Sequence, residues 1–109
     1  MRTLKFIVDG QTMWKDPSCD FANLVPGTEE YLQAEFSFSS EWDGCVKVVD
    51  FSSNMGREYQ PQALENGKTC SIPAEALRKR IFKVRVLGKK GDFKLTTNKV
   101  IVDQNGGKV

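Results

Sequence analysis

The apolar positions of this chain recur with period two over most of its length, the spacing of strands rather than helices. Near the N-terminus Leu4, Phe6 and Val8 share one face and Thr3, Lys5 and Ile7 the other, and Asp9-Gly10 supplies a turn pair. The cleanest alternation covers residues 31–38. Leu32, Ala34, Phe36 and Phe38 point one way, and Tyr31, Gln33, Glu35 and Ser37 the other. This predicts a half-buried strand in an antiparallel sheet. Residues 45–51 are β-branched and read as a strand. Arg57 to Leu64 is a weaker one, demoted to an edge or a bulge by Pro61. Asn66-Gly67 predicts a tight hairpin joining 59–65 to a short strand over 68–72. Ile81 to Leu87 alternates Phe82, Val84 and Val86 against Lys83 and Arg85. The last strand spans 93–102, where a change of parity between Phe93/Leu95 and Val100/Val102 predicts a bulge or bend near Thr97-Asn98.

Residues 14–29 hold Pro17, Pro26, Gly27 and several Asp and Asn, and read as a long loop with room for one short strand. Pro73 to Arg80 is the only helical candidate. Pro73 suits a first helical position, Glu75 lies in the first turn, and Arg78, Lys79 and Arg80 close it. About seven or eight strands with turn signals every eight to twelve residues predict an all-β antiparallel sandwich of immunoglobulin-like architecture, with one short helix near 73–80. The Cys…Trp…Cys signature of true immunoglobulin domains is missing. Residues 1–103 are expected to form the single domain and Gln104 to Val109 a flexible tail.

Composition narrows the function more than the fold. A chain of 109 residues with 39% hydrophobic and 28% charged residues supports one core. No apolar run approaches the ~20 residues of a membrane span, and the opening residues lack a leader's apolar stretch, so no membrane association is expected. There is no histidine. That removes Ser-His-Asp and Cys-His catalysis and HExxH zinc sites. No phosphate-binding glycine loop is present. Three cysteines, Cys19, Cys45 and Cys70, are odd in number and far apart, which reads as reduced thiols with at least one packed in the core. Glu29-Glu30 and Glu41 with Asp43 are carboxylate pairs, but a chain this small makes few of the deep clefts a glycosidase needs, and Asp16 with Asp20 or Glu41 with Asp43 lack the spacing of a calcium loop. The expectation is a non-enzyme without cofactor or metal.

Charge is unevenly placed along a chain of net +2. Arg78 to Lys99 holds nine basic residues and one acid, Asp92, a local net of about +8, so the remainder sums to about −6. One reading is a polyanion-binding face made by Arg78, Lys79, Arg80, Lys83, Arg85, Lys89 and Lys90. The other pairs Lys83 and Arg85 across strands with Glu35, Glu58 or Glu65. No nucleic-acid motif accompanies the charge, which favours the second. Among the aromatics, Phe36, Phe38 and Phe51 read as core. Trp14, flanked by Lys15 and Asp16, reads as exposed, and Trp42 reads first as core. Trp14, Trp42 and Tyr59 are the candidate protein contacts.

A set of segments carries a family resemblance. They are Leu4 to Thr12 (LKFIVDGQT), the run YLQAEFSFSSEWDG at 31–44, Lys47 to Phe51, Asn66-Gly67 with TCSIPAEAL at 69–77, FKVRVLG at 82–88 and TTNKV at 96–100. Together they resemble a small β-sandwich module of tailed bacteriophages and prophages of Gram-positive bacteria, found at the start of baseplate, tail-fibre or head-fibre proteins. The resemblance runs from Leu4 to Val102, with Phe36-x-Phe38-x3-Trp42-x-Gly44 and Thr96-Thr97-Asn98 as its best motifs. It implies a non-enzymatic virion structural or interaction module, made in the host cytoplasm and docking on virion or host proteins or on a copy of itself. A phage-encoded inhibitor of a host defence enzyme and a basic-face nucleic-acid binder are the alternatives.

Overall fold

The structure, a computed structural model, describes residues 1–105. In chain order the strands are β1 (Arg2–Asp9), β2 (Thr12–Lys15), β3 (Leu32–Phe38), β4 (Val46–Ser53), β5 (Gln62–Ala63) and β6 (Thr69–Ser71). A single helical turn, α1 (Ala74–Leu77), precedes β7 (Ile81–Lys90), β8 (Phe93–Thr96) and β9 (Val100–Asp103). They form two sheets, ordered β2-β1-β3-β6 and β5-β4-β7-β8, with β9 on the same edge of β7 as β8. The period-two pattern is satisfied by burying Leu4, Phe6, Val8, Leu32, Ala34 and Phe36 of the first sheet in one core with Val49, Phe51, Phe82, Val84, Val86 and Val102 of the second. The result is an all-β sandwich. A row of rings, Phe6, Phe36, Phe38 and Trp42, runs through it with successive centroids 5.3, 6.0 and 5.3 Å apart.

Several local expectations are corrected. β3 is antiparallel only to β6; against β1 it runs parallel, with Phe6 opposite Phe36. Alternation reports which face a residue occupies and is silent on strand direction. The return path for a parallel partner is the 16–31 loop, long enough for the crossover such pairs need. Arg2 pins that loop, its guanidinium donating to the carbonyls of Asp20 and Ala22 at 3.0 and 2.6 Å. Leu24 plugs it into the core at 2% exposure.

The Asn66-Gly67 turn forms with positive φ at both residues, 51° and 69°, as the pair demands. It does not join a hairpin. β5 pairs with β4 and β6 with β3, so the turn carries the chain from one sheet to the other, held by a bridge between Glu65 and Thr69. Pro61 lacks an amide proton, the strand over 57–64 shrinks to Gln62–Ala63, and the carbonyl of Lys68 is taken by the Phe36 amide. The final strand divides in two. β8 places Leu95 opposite Gly88, β9 places Val100 opposite Val84, and the one-residue slip between them falls at Thr97-Asn98. Gln104, expected in the C-terminal tail, is instead 1% exposed. Its side-chain amide donates to the carbonyls of Leu77 and Lys79 at 3.1 and 2.9 Å, and its backbone amide to Arg80. Residues 106–109 of the expected tail lie outside the described residues.

Cys70 on β6 faces the core at 5% exposure. Burial, with the Glu65 carboxylate adding to it, pushes its thiol up to about 12. In the unfolded chain the same thiol ionises near ~8.5. The raised native value means full stability below that pH and a progressive loss as pH rises toward the native value. Unfolding free energy is expected to fall by up to about 1.4 kcal/mol per pH unit between pH 9 and 10 from this group alone. Denaturant titrations at several pH values on wild type and Cys70→Ala check this. An equal slope in both would remove Cys70 as the cause.

Candidate functional site

Alternation on β7 sends Phe82, Val84 and Val86 into the core, and Lys83, Arg85, Leu87 and Lys89 outward. β4 presents Val46, Val48 and Asp50 beside them, β8 adds Lys94 and Thr96, and β9 adds Ile101. Val46 is 73% exposed and Ile101 52%. Between β4 and β8 the face dips into an open cavity of about 400 Å³ lined by Val46, Val48, Leu87, Lys89, Lys94 and Thr96 among others. The outward surface of this sheet therefore carries an apolar group, Val46, Val48 and Leu87, edged by Lys89 and Lys94.

The basic residues expected to line one face are dispersed. Arg80 forms a two-point ion pair with Asp103, its Nε 2.9 Å from Oδ1, and that carboxylate holds its guanidinium above the usual range. Arg85 reaches Asp50 at 3.3 Å and Glu58 at 3.4 Å. Of the carboxylates expected opposite Lys83 and Arg85, only Glu58 is bonded to either of them; β3 carries Glu35 on the other sheet. Lys83 stands opposite Ser52 and Ile101. Lys90 lies by the β7–β8 turn, its Nζ folded toward Gly44. Lys89 and Lys94 are directly opposed across β7 and β8, a like-charge pair that costs stability unless something negative covers it. Arg78 and Lys79 project at the other end of the sandwich. They line a small half-open pocket of about 120 Å³ with Ser53, Arg57, Tyr59 and Glu75.

Of the aromatic candidates, Trp14 on β2 is 38% exposed and lies opposite Ile7 on the outer face of the first sheet. Trp42 is fully buried, as its first reading as core has it, and its indole N–H donates to the Gly10 carbonyl at 2.9 Å, which leaves it no exposed surface for the alternative role as a protein contact. Tyr59 is half-buried against the core and reaches the surface only in the end pocket.

The Asp16 and Asp20 carboxylates of the long loop are occupied by neighbouring residues of that loop. Asp16 Oδ1 accepts from the Ser18 amide and hydroxyl at 2.9 and 2.8 Å, which holds its carboxyl below the usual range, and Asp20 Oδ1 accepts from the Ala22 amide. Sequence reasoning missed Val46, Val48, Leu87 and Ile101 as a surface group. Each is an ordinary strand residue; the pairing of β4 with β7 makes Val46, Val48 and Leu87 neighbours, and β9 places Ile101 on the same face beyond Arg85. It also missed Arg57, which lies far from the basic stretch in sequence. No family model, curated protein or solved structure matches the chain.

Proposed function

We propose that this chain is a non-enzymatic interaction module that docks on another protein through the outward face of the β4–β7–β8–β9 sheet. The observation that carries the reading is the group of exposed Val46 with half-buried Val48 and Leu87 beside the opposed Lys89 and Lys94, with Ile101 exposed farther along the same face. Covering it removes apolar surface from water, and an acidic rim on the partner relieves the lysine pair. The resemblance to phage and prophage baseplate and fibre modules makes a virion component the setting. The partner is then another virion protein or a second copy of this chain. A nucleic-acid rail fits less well, because Arg80 and Arg85 are already neutralised and the remaining cations sit at opposite ends of β7.

The test is the copy number of this protein in gradient-purified particles induced from the source strain, for wild type and for Val46→Glu and Ile101→Glu. Both substitutions lie on an exposed face and are expected to change stability by less than about 0.5 kcal/mol. Incorporation is expected to drop at least tenfold. Absence of the wild-type protein from particles, with strong expression in the cell, would sink the virion reading. Unchanged incorporation of the glutamate variants would sink the docking face.

A further inference from the structure

We infer that the pocket at the end of the sandwich, formed by Arg57, Arg78, Lys79, Tyr59 and Ser53, is a binding site for one phosphoryl dianion. Three cations line a space of about 120 Å³ with a single acid, Glu75, among them. Their net charge of +2 equals the charge of a phosphate monoester or inorganic phosphate near neutral pH. The volume holds a tetrahedral oxyanion or a few waters and is too small to enclose a nucleotide. Among the described residues none of the three cations has a carboxylate within ion-pair distance, in contrast to Arg80 and Arg85 close by in sequence. Like charges held together without counter-ions repel, and an anion between them removes that cost.

The pocket is built on fixed backbone. Arg57 closes a tight loop in which the Ser53 amide donates to the Arg57 carbonyl at 2.8 Å and the Ser53 hydroxyl accepts from the Arg57 amide at 3.0 Å. Arg78 ends α1, where the helix leaves its last carbonyls and a cation is favoured. The segment bearing Arg78 and Lys79 is held by buried Gln104, which bonds the carbonyls on either side of Arg78, those of Leu77 and Lys79. Gln104 is thus a positioning residue for the site. Tyr59, packed on the core, lines the pocket with a phenol that can donate. Two guanidinium forks, an ammonium and a phenol suit the several acceptor oxygens of a phosphoryl group better than a carboxylate.

The source is either free phosphate or a phosphate monoester on a partner's side chain. The experiment is an amide NMR titration of the full chain at pH 7.5 with inorganic phosphate, O-phosphoserine, dimethyl phosphate and acetate, at constant ionic strength. Phosphate is expected to give saturable one-to-one shifts centred on Ser53, Arg57, Tyr59, Arg78 and Lys79. The singly charged dimethyl phosphate and acetate are expected to bind at least tenfold more weakly. Phosphoserine binding above phosphate identifies a modified partner as the source, and the reverse order identifies free phosphate. Arg57→Gln and Arg78→Gln should each weaken phosphate about tenfold, the scale of one charge-assisted contact. Lys94→Gln, which removes the same charge elsewhere, should change it less than twofold. Shifts that do not saturate, shifts spread evenly over the basic surface, dimethyl phosphate binding as well as phosphate, or equal losses in Lys94→Gln and Arg78→Gln would each overturn the site. Incorporation into particles is a separate readout, so this result stands or falls apart from the docking face.

Discussion

Replacing Trp42 with alanine is expected to destabilise the protein by about 3–5 kcal/mol, a large share of the total stability of a domain this size. Trp42 is the largest fully buried side chain among the described residues, its ring tilted 44° against Phe38 and its N–H bonded to Gly10. It lies at the end of the row of rings and touches both sheets. On one side it reaches the β1–β2 turn through Gly10. On the other it lies flat on the backbone of β7 at Gly88, where a Cβ would stand 2.6 Å from its Cζ3 atom. No side chain except hydrogen fits beneath the indole, so Gly88→Ala must push ring or strand aside. Its cost is expected to be about 1–3 kcal/mol, the range for overpacking a close-packed core. The two sites are coupled. In a Trp42→Leu background, Gly88→Ala should cost less than it does in wild type. Urea denaturation of the four variants gives the coupling directly, and strict additivity of the two changes would show that the close contact is not what constrains position 88.

Asn98→Ala is expected to cost about 1–3 kcal/mol for the backbone groups it strands. The Asn98 side chain acts as a one-residue strand. Its Oδ1 accepts from the Met13 amide at 2.7 Å and its Nδ2 donates to the Met13 carbonyl at 3.0 Å, while its own backbone amide donates to Gln11 at 3.2 Å. An amide side chain carries one donor face and one acceptor face, as a peptide group does, so it completes the open edge of β2. Next to it Thr97 closes the gap between β8 and β9. Its hydroxyl accepts from the Val86 amide and its backbone amide donates to the Val86 carbonyl, both at 3.0 Å. Hydrogen exchange at the Met13 amide locates the effect. It should quicken by one to two orders of magnitude in Asn98→Ala relative to other β2 amides. Equal protection in both proteins would mean that β2 is sealed by something other than this side chain.

The parts of the fold legible in the sequence are those set by a residue's own alternation. The inward sets of β1, β3 and β7, the turn at Asn66-Gly67, the helical turn after Pro73 and the slip near Thr97-Asn98 all follow from local pattern and turn chemistry. Partner choice does not. Nothing in Leu32 to Phe38 distinguishes a parallel neighbour from an antiparallel one, and nothing in 59–72 says that the turn changes sheets. The candidate sites were less legible still. The excess of positive charge after Arg78 is visible in the sequence, yet β7 runs about 3.3 Å per residue and carries its two ends to opposite poles of the sandwich. One basic run thus becomes two unrelated surfaces. Arg57 enters the end pocket only because the 53–57 turn folds against α1. Gln104 reads as tail polarity until its amide is found bonding the carbonyls of Leu77 and Lys79.

The contact between Asn98 and Met13 spans 85 residues, and the parallel register of β1 with β3 also joins distant segments. Few of the stabilising pairings of this sandwich are available to a short stretch of chain. Loop-closure entropy is spent early and recovered only when the last strands dock, the condition that makes β-sandwiches fold on the millisecond-to-second scale. During synthesis the first sheet emerges with its apolar face uncovered, because Val84, Val86, Val100 and Val102 follow it out of the ribosome. Folding of this domain is therefore completed only after the residues through Gln104 have emerged.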